Sequence, residues 1–161
     1  MTPDHAVITD HSPSPPSSWL PVRALPEYAR EAREFATNTV AGFPHDSYEV
    51  ALITSEIVTN AIVAAEAFGP WPDEAYPIGV DLVVTCRYVH LAVTDPDFRP
   101  MAASDQGGQF AEHGRGLHIV DEEAAVRWVV YEQHSKTVHV VMAAPGVTLT
   151  PAELKQIRRP R

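Results

Sequence analysis

Apolar residues recur at helical spacing in two stretches of the chain, and both stretches carry start and stop signals. The first, residues 25–43, has Pro26 at a suitable first helical position and reaches Gly42 as a stop. The second, residues 47–68, follows Asp46, which can cap a helix, and ends before a Gly-Pro pair. The pattern predicts two amphipathic helices in succession.

Runs of β-branched residues predict strands, and most of these runs come in adjacent pairs. Residues 17–25 are expected to form an edge strand, because Pro21 lacks the amide hydrogen that a central strand requires. Four further runs predict two hairpins, 78–86 with 88–95 and 126–133 with 137–144. A long stretch without periodicity, residues 96–115, lies between the hairpins and precedes a short helix over 116–125.

This order of elements favours an α+β two-layer sandwich, with a mixed, mostly antiparallel sheet and helices on one face. The strict βαβ alternation of a doubly wound nucleotide-binding fold is absent. One domain is expected over residues 19–145, between a disordered leader at 1–18 and a tail at 146–161. Thr150 can cap a short helix within that tail.

Composition and charge narrow the class of partner. The chain has 161 residues and a net charge of -9, which argues against nonspecific binding to nucleic acid or anionic membranes. Cys86 is the single cysteine, so no internal disulfide can form. No apolar run reaches the ~20 residues that span a bilayer, and the N-terminus does not resemble a signal peptide. We therefore expect a cytoplasmic protein that meets other proteins or small molecules.

A glutamate and an asparagine interrupt the apolar helix predicted over 47–68. Glu56 and Asn60 lie one turn apart on a stripe that also contains Ile53 and Val63. A solvated helix face with an i,i+4 hydrogen bond would explain the pair. A polar pocket would explain it equally well, because an asparagine oxygen can bind magnesium and a glutamate can act as a base. The spacing alone does not decide between these interpretations.

Three other segments carry candidate chemistry, and none of them is specific by itself. Asp95 ends a predicted strand within "VTDPD". "HGRGLHIV", residues 113–120, opens a helix where backbone amides and Arg115 could hold a phosphate, although a tight turn needs the same glycines. Lys136 and Thr137 begin the last predicted strand, where turn residues are common.

Together and in this order, these segments resemble the GHKL ATPase superfamily, which includes gyrase, histidine kinases and MutL. Within it they look most like the small anti-sigma-factor serine/threonine kinases. "SEIVTNAI" resembles that group's N box, "VTD" stands where the first glycine box begins, "GRGL" resembles the second, and "KTV" resembles the closing strand motif. The resemblance covers about residues 20–143 and implies the GHKL-type ATP-binding fold, also called the Bergerat fold.

The resemblance implies a role for each matching residue. Glu56 would be the general base, Asn60 would bind Mg²⁺, and Asp95 would accept a hydrogen bond from the adenine amino group of ATP. Thr137 would approach the adenine end of the site, and Lys136 is carried over as a further nucleotide-binding residue. Four residues at a helix start would hold the phosphates beneath a lid formed by residues 96–113, namely Gly114, Arg115, Gly116 and Leu117.

The same resemblance implies that the protein binds a sigma factor and phosphorylates a serine or threonine of a small antagonist protein. It implies no direct contact with nucleic acid or membrane, and it allows a homodimer. Two features depart from the family pattern. Asp95 is followed by "PDFRP", without the glycines of Asp-x-Gly-x-Gly, and Val63-Ala64 stand where a basic pair is common. An alternative function therefore stays open, a protein-interaction module of the same fold without kinase activity.

Overall fold

The computed structural model describes residues 15–100 and 119–160 of the chain. The described part contains a five-stranded sheet, formed by β1 (Ser17–Val22), β2 (Ile78–Val84), β3 (Tyr88–Asp95), β4 (Val126–Tyr131) and β5 (Lys136–Ala143). Three helices accompany the sheet, α1 (Tyr28–Val40), α2 (Ser47–Glu66) and α3 (Pro151–Ile157). Residues 119–123 are also helical and lead into β4.

The sheet order is β1-β2-β3-β5-β4, so β1 lies at an edge, as the proline in its sequence predicts. Both predicted hairpins are present, β2 with β3 and β4 with β5, and β3 pairs with β5 at the centre. The α+β class is therefore confirmed. A mixed sheet was expected, whereas all four pairings among the described strands are antiparallel.

The two long helices begin and end near the predicted signals. The Asp46 side chain accepts hydrogen bonds from the backbone amides of Tyr48 and Glu49, at 3.0 and 3.2 Å, and so caps α2. Gly42 has φ of 84°, a conformation that glycine adopts without steric cost, and it redirects the chain after α1.

The hydrophobic core lies between the two long helices and one face of the sheet. Val89, Leu91 and Val93 of β3 alternate onto that face and are completely buried. By length and composition alone α2 could cross a membrane. However, ten of its residues are buried within the fold, which is the pattern of an interior helix.

The C-terminal segment is attached to the sheet. Thr150 caps α3 as predicted: its hydroxyl accepts from the Glu153 amide, and the Glu153 carboxylate accepts from the Thr150 amide, so the two residues form a capping box. Glu153 also pairs with Arg87 in the β2–β3 turn, at 2.6 Å. Arg158 lies over the ring of Trp128, 4.9 Å from its centroid, on the face opposite the long helices.

The strand position of Trp128 places its side chain on this second face of the sheet, where it is half-buried. Its indole stacks on the imidazole of His139, with centroids 4.7 Å apart.

Candidate functional site

The end of β3 carries a buried carboxylate. Asp95 follows Val93 by two positions, so its side chain points toward the helix layer, where it is only 2% exposed. Its Oδ1 accepts a hydrogen bond from the Asp97 amide at 2.8 Å. The Lys136 ammonium group lies 3.3 Å from each carboxylate oxygen. Burial raises the pKa of Asp95 above its ordinary value, and the Lys136 cation opposes that rise.

The segment after β3 lacks the glycines that the family pattern predicts, and aspartate side chains hydrogen-bond its backbone instead. Asp95 accepts from the amide of Asp97, and Asp97 accepts from the amide of Arg99 at 3.1 Å. In each case an aspartate bonds the backbone two residues ahead, which builds a turn without glycine. The Asp97 carboxylate also receives two bonds from the Arg99 guanidinium, both at 2.8 Å. That guanidinium holds the pKa of Asp97 below its ordinary value.

Aromatic side chains line the outer edge of this turn. The Arg99 guanidinium lies 5.2 Å from the ring centroid of Phe68, at the end of the long helix. The rings of Phe68 and Phe98 are 6.2 Å apart, and Phe98 meets the His134 ring edge-on at the same separation. These contacts join the turn to the β4–β5 connection.

Asp97, Phe98 and Arg99 lie within the expected lid, but neither they nor Phe68 were predicted individually as site residues. The alternating acidic and basic residues of "DPDFR" were the one available signal for them.

Lys136 and Thr137 are neighbours in β5 and therefore point to opposite faces of the sheet. Lys136 lies opposite Asp95 in the strand register and shares its face. Thr137 lies opposite Thr94, and their hydroxyl oxygens are 2.8 Å apart on the other face. The structure thus brings Lys136, and not Thr137, to Asp95. A role for Thr137 at the adenine end stays a prediction.

Glu56 and Asn60 are half-buried on α2, one turn apart. No hydrogen bond joins their side chains in the part of the chain that the structure describes, so the i,i+4 bond considered from the spacing is absent there. The stripe that contains them is not uniformly buried, because Ile53 is fully buried while Val63 is 43% exposed. Since α2 packs against β3, the pair lies in the same layer toward which Asp95 points.

The expected phosphate-binding residues, Gly114, Arg115, Gly116 and Leu117, lie outside the described residues, as does most of the expected lid at 96–113. The described residues therefore include only the expected base end of an ATP site. A carboxylate has about four lone-pair positions. The described donors to Asp95 are the Asp97 amide and the Lys136 ammonium group, so Asp95 retains capacity to accept from an adenine amino group. The acceptor at this end of the site therefore fits the amino group of adenine.

Comparison with known proteins agrees with this architecture. A family model described as the histidine kinase-like ATPase domain matches residues 22–144. A crystal structure of the RsbU and RsbW domains of Rv1364c from Mycobacterium tuberculosis matches with a TM-score of 0.55 and 20% sequence identity. The match covers 84% of this chain and 35% of that one, so the protein spans about a third of its structural neighbour. No curated protein matches the chain. Because the family model covers most of the sequence, the chain belongs to the histidine kinase-like ATPase domain family, which implies ATP binding.

Proposed function

We propose that this protein is a cytoplasmic, ATP-dependent regulator that resembles the anti-sigma-factor serine/threonine kinases. The single observation that carries the proposal is the buried Asp95 carboxylate, which points from the end of β3 into the layer occupied by α2. A carboxylate in that position offers an acceptor to the amino group of a base. The N-box resemblance of α2 and the shared fold of the RsbW-domain structure support the same conclusion.

In this proposal α2 provides the chemical groups and β3 provides recognition of the base. Asn60 would bind Mg²⁺ through its amide oxygen, and Glu56, one turn earlier, would take the proton from the attacking hydroxyl group. Asp95 would orient the adenine, and residues 114–117 would hold the phosphates. Bound ATP with Mg²⁺ would supply the phosphoryl group and neutralise its charge. The protein residues supply position, a base and exclusion of water.

The proposed partners are a sigma factor and a small antagonist protein. Binding of the sigma factor in one state, and phosphorylation of a serine or threonine of the antagonist in another, would switch the protein between them. A net charge of -9 favours protein partners over nucleic acid. The solvent-exposed aromatic residues near the site, such as Phe98 at 45% exposure, offer apolar contact area for such a partner.

Calorimetric titration with ATP, in the presence and absence of Mg²⁺, tests the proposed binding of ATP and magnesium. Wild type should bind ATP with Mg²⁺, and Asn60→Ala should lose the dependence on magnesium. Asn38→Ala is the matched control, since Asn38 is an exposed asparagine on α1 and should leave binding unchanged. Absence of binding by wild type at millimolar ATP would reject the proposal.

A second function is favoured by one observation, the turn after Asp95, which carries the paired side chains of Asp97 and Arg99 where the family pattern has glycines. In that case the protein is an interaction module that keeps the fold and partner surface without kinase activity. Affinity capture of partners from the native host, with and without ATP, separates the two functions. Partners that exchange when ATP is added support the ATP-dependent regulator, and the same partners in both conditions support the module.

A further inference from the structure

Lys136 acquires a definite role from its place opposite Asp95. We propose that Lys136 is a positioning residue for nucleotide recognition: its ammonium group holds the buried Asp95 carboxylate in the charged form that accepts a base amino group. The lysine acts through Asp95 and does not itself contact the nucleotide. The inference rests on the proposed function, because it assumes that Asp95 reads the base.

The position of the Lys136 ammonium group is that of a counter-ion for the Asp95 carboxylate. The Lys136 Nζ atom lies 3.3 Å from both oxygens of Asp95, so the charge is centred on the carboxylate. The lysine side chain is only 9% exposed, so solvent screens the pair weakly. The pairing is built into the strand register, in which these two residues lie directly opposite each other.

A second carboxylate lies nearby but has its own cation. Asp97 is 4.0 Å from the Lys136 Nζ atom, whereas the Arg99 guanidinium contacts it twice at 2.8 Å. Because Arg99 satisfies Asp97, the charge of Lys136 remains available to Asp95. Lys136 also acts on Asp97, but Arg99 is the nearer cation there, so replacing Lys136 should affect Asp95 first.

Other charged or titratable residues lie on the four elements next to Asp95. They are Asp97 and Arg99 after β3, Glu56 and Glu66 on α2, Tyr131 opposite Lys136 on β4, and His134 in the β4–β5 turn. Among the described residues, Lys136 is the cation that contacts the Asp95 carboxylate. His134 contacts the ring of Phe98, and it therefore needs a control of its own in any pH experiment.

Loss of the Lys136 charge has a direct chemical consequence. Burial already raises the pKa of Asp95, and the lysine opposes that effect. Without the cation, the carboxyl binds a proton at higher pH. A protonated carboxyl presents a hydroxyl donor on one oxygen, so it no longer offers two accepting oxygens to an amino group. Nucleotide affinity should then fall as the pH falls through the pKa of Asp95.

The test compares two substitutions that separate charge from hydrogen bonding. Lys136→Gln keeps a donor without the charge, and Lys136→Arg keeps the charge. The Kd for ATP with Mg²⁺ is measured from pH 8.5 to pH 6 and divided by the wild-type Kd at each pH. This ratio cancels the titration of the nucleotide's own phosphate. For Lys136→Gln we expect the ratio to rise at least about tenfold toward pH 6, and for Lys136→Arg we expect it to stay flat.

Two further variants test whether the pH dependence of ATP binding arises at Asp95. Asp95→Asn cannot ionise, so adding Lys136→Gln to it should produce no additional pH dependence. His134→Gln should leave the wild-type profile unchanged. A flat ratio for Lys136→Gln would overturn the inference while leaving the proposed function intact. Absence of ATP binding by wild type at pH 8.5 would instead reject the proposed function.

A folding failure of Lys136→Gln would not prevent the test. The carboxyl carbon of Asp95 can be followed by NMR in wild type while ATP binding is measured over the same pH range. Loss of binding that coincides with protonation of Asp95 supports the inference. Binding that persists after Asp95 is protonated overturns it.

Discussion

The ion pair between Asp95 and Lys136 should make the end of β3 unusually sensitive to removal of one charge. Asp95→Leu would leave the Lys136 ammonium group buried, with Asp97 at 4.0 Å as its nearest described acceptor. It would also remove the acceptor of the Asp97 amide. Breaking a buried ion pair from one side costs about 3–5 kcal/mol. Because Asp97 can partly replace the lost partner, we expect the lower end, about 3 kcal/mol.

The double variant Asp95→Leu/Lys136→Met gives the sharper comparison. Burial raises the pKa of Asp95 despite the nearby lysine, which shows that desolvation outweighs the attraction. Replacing both charges with apolar groups of similar size is then close to neutral. The unpaired Asp97 amide still costs about 1–3 kcal/mol. The double variant should therefore be more stable than Asp95→Leu alone.

Urea denaturation followed by circular dichroism measures these differences. Asp121→Leu is the matched control, since Asp121 pairs with Arg127 at 2.7 Å but is 51% exposed. An exposed pair contributes about 0.2–1 kcal/mol. A cost below about 1 kcal/mol for Asp95→Leu, equal to that of the control, would refute the reasoning. So would a double variant that is less stable than the single one.

Three further predictions follow from other residues. Glu56→Gln should bind ATP within a few-fold of wild type in a titration yet lose about 10²- to 10⁴-fold in phosphotransfer rate. Glu66 is exposed on the same helix, so Glu66→Gln should change neither binding nor rate. Equal loss of binding and phosphotransfer in Glu56→Gln would indicate a structural role for Glu56. Asp46→Ala should lower the free energy of unfolding by about 1 kcal/mol through loss of the α2 cap, and an unchanged urea midpoint would contradict this. The pKa of Glu153 is lowered from 4.5 to about 2, chiefly by Arg87, so its stabilising effect is present above about pH 4.5 and is lost as the pH falls through about 2. The difference in Tm between wild type and Arg87→Ala should accordingly shrink over that range, and a constant difference would exclude the ion pair as its cause.

Local signals in the sequence were sufficient for the elements of this fold. Pro26 lies two residues before the first helix, which begins at Tyr28, and Gly42 follows its end, while Asp46 caps the second; these residues act on the backbone within a few positions of themselves. The alternation of β-branched residues predicted both hairpins. Pro21 predicted an edge strand because proline has no amide hydrogen to donate to a neighbouring strand. Motif spacing was enough to suggest the family, which the comparison over residues 22–144 shows.

The contacts that build the site required the tertiary structure. The sequence shows glycines missing after Asp95, but it does not show that Asp95 and Asp97 bond the backbone in their place. Asp95 and Lys136 are 41 positions apart and meet because β3 pairs with β5 in one particular register. A shift of one residue in that register would have turned Thr137, rather than Lys136, toward the helices. Long-range strand pairing depends on how the whole core packs, and no local pattern in the chain specifies it.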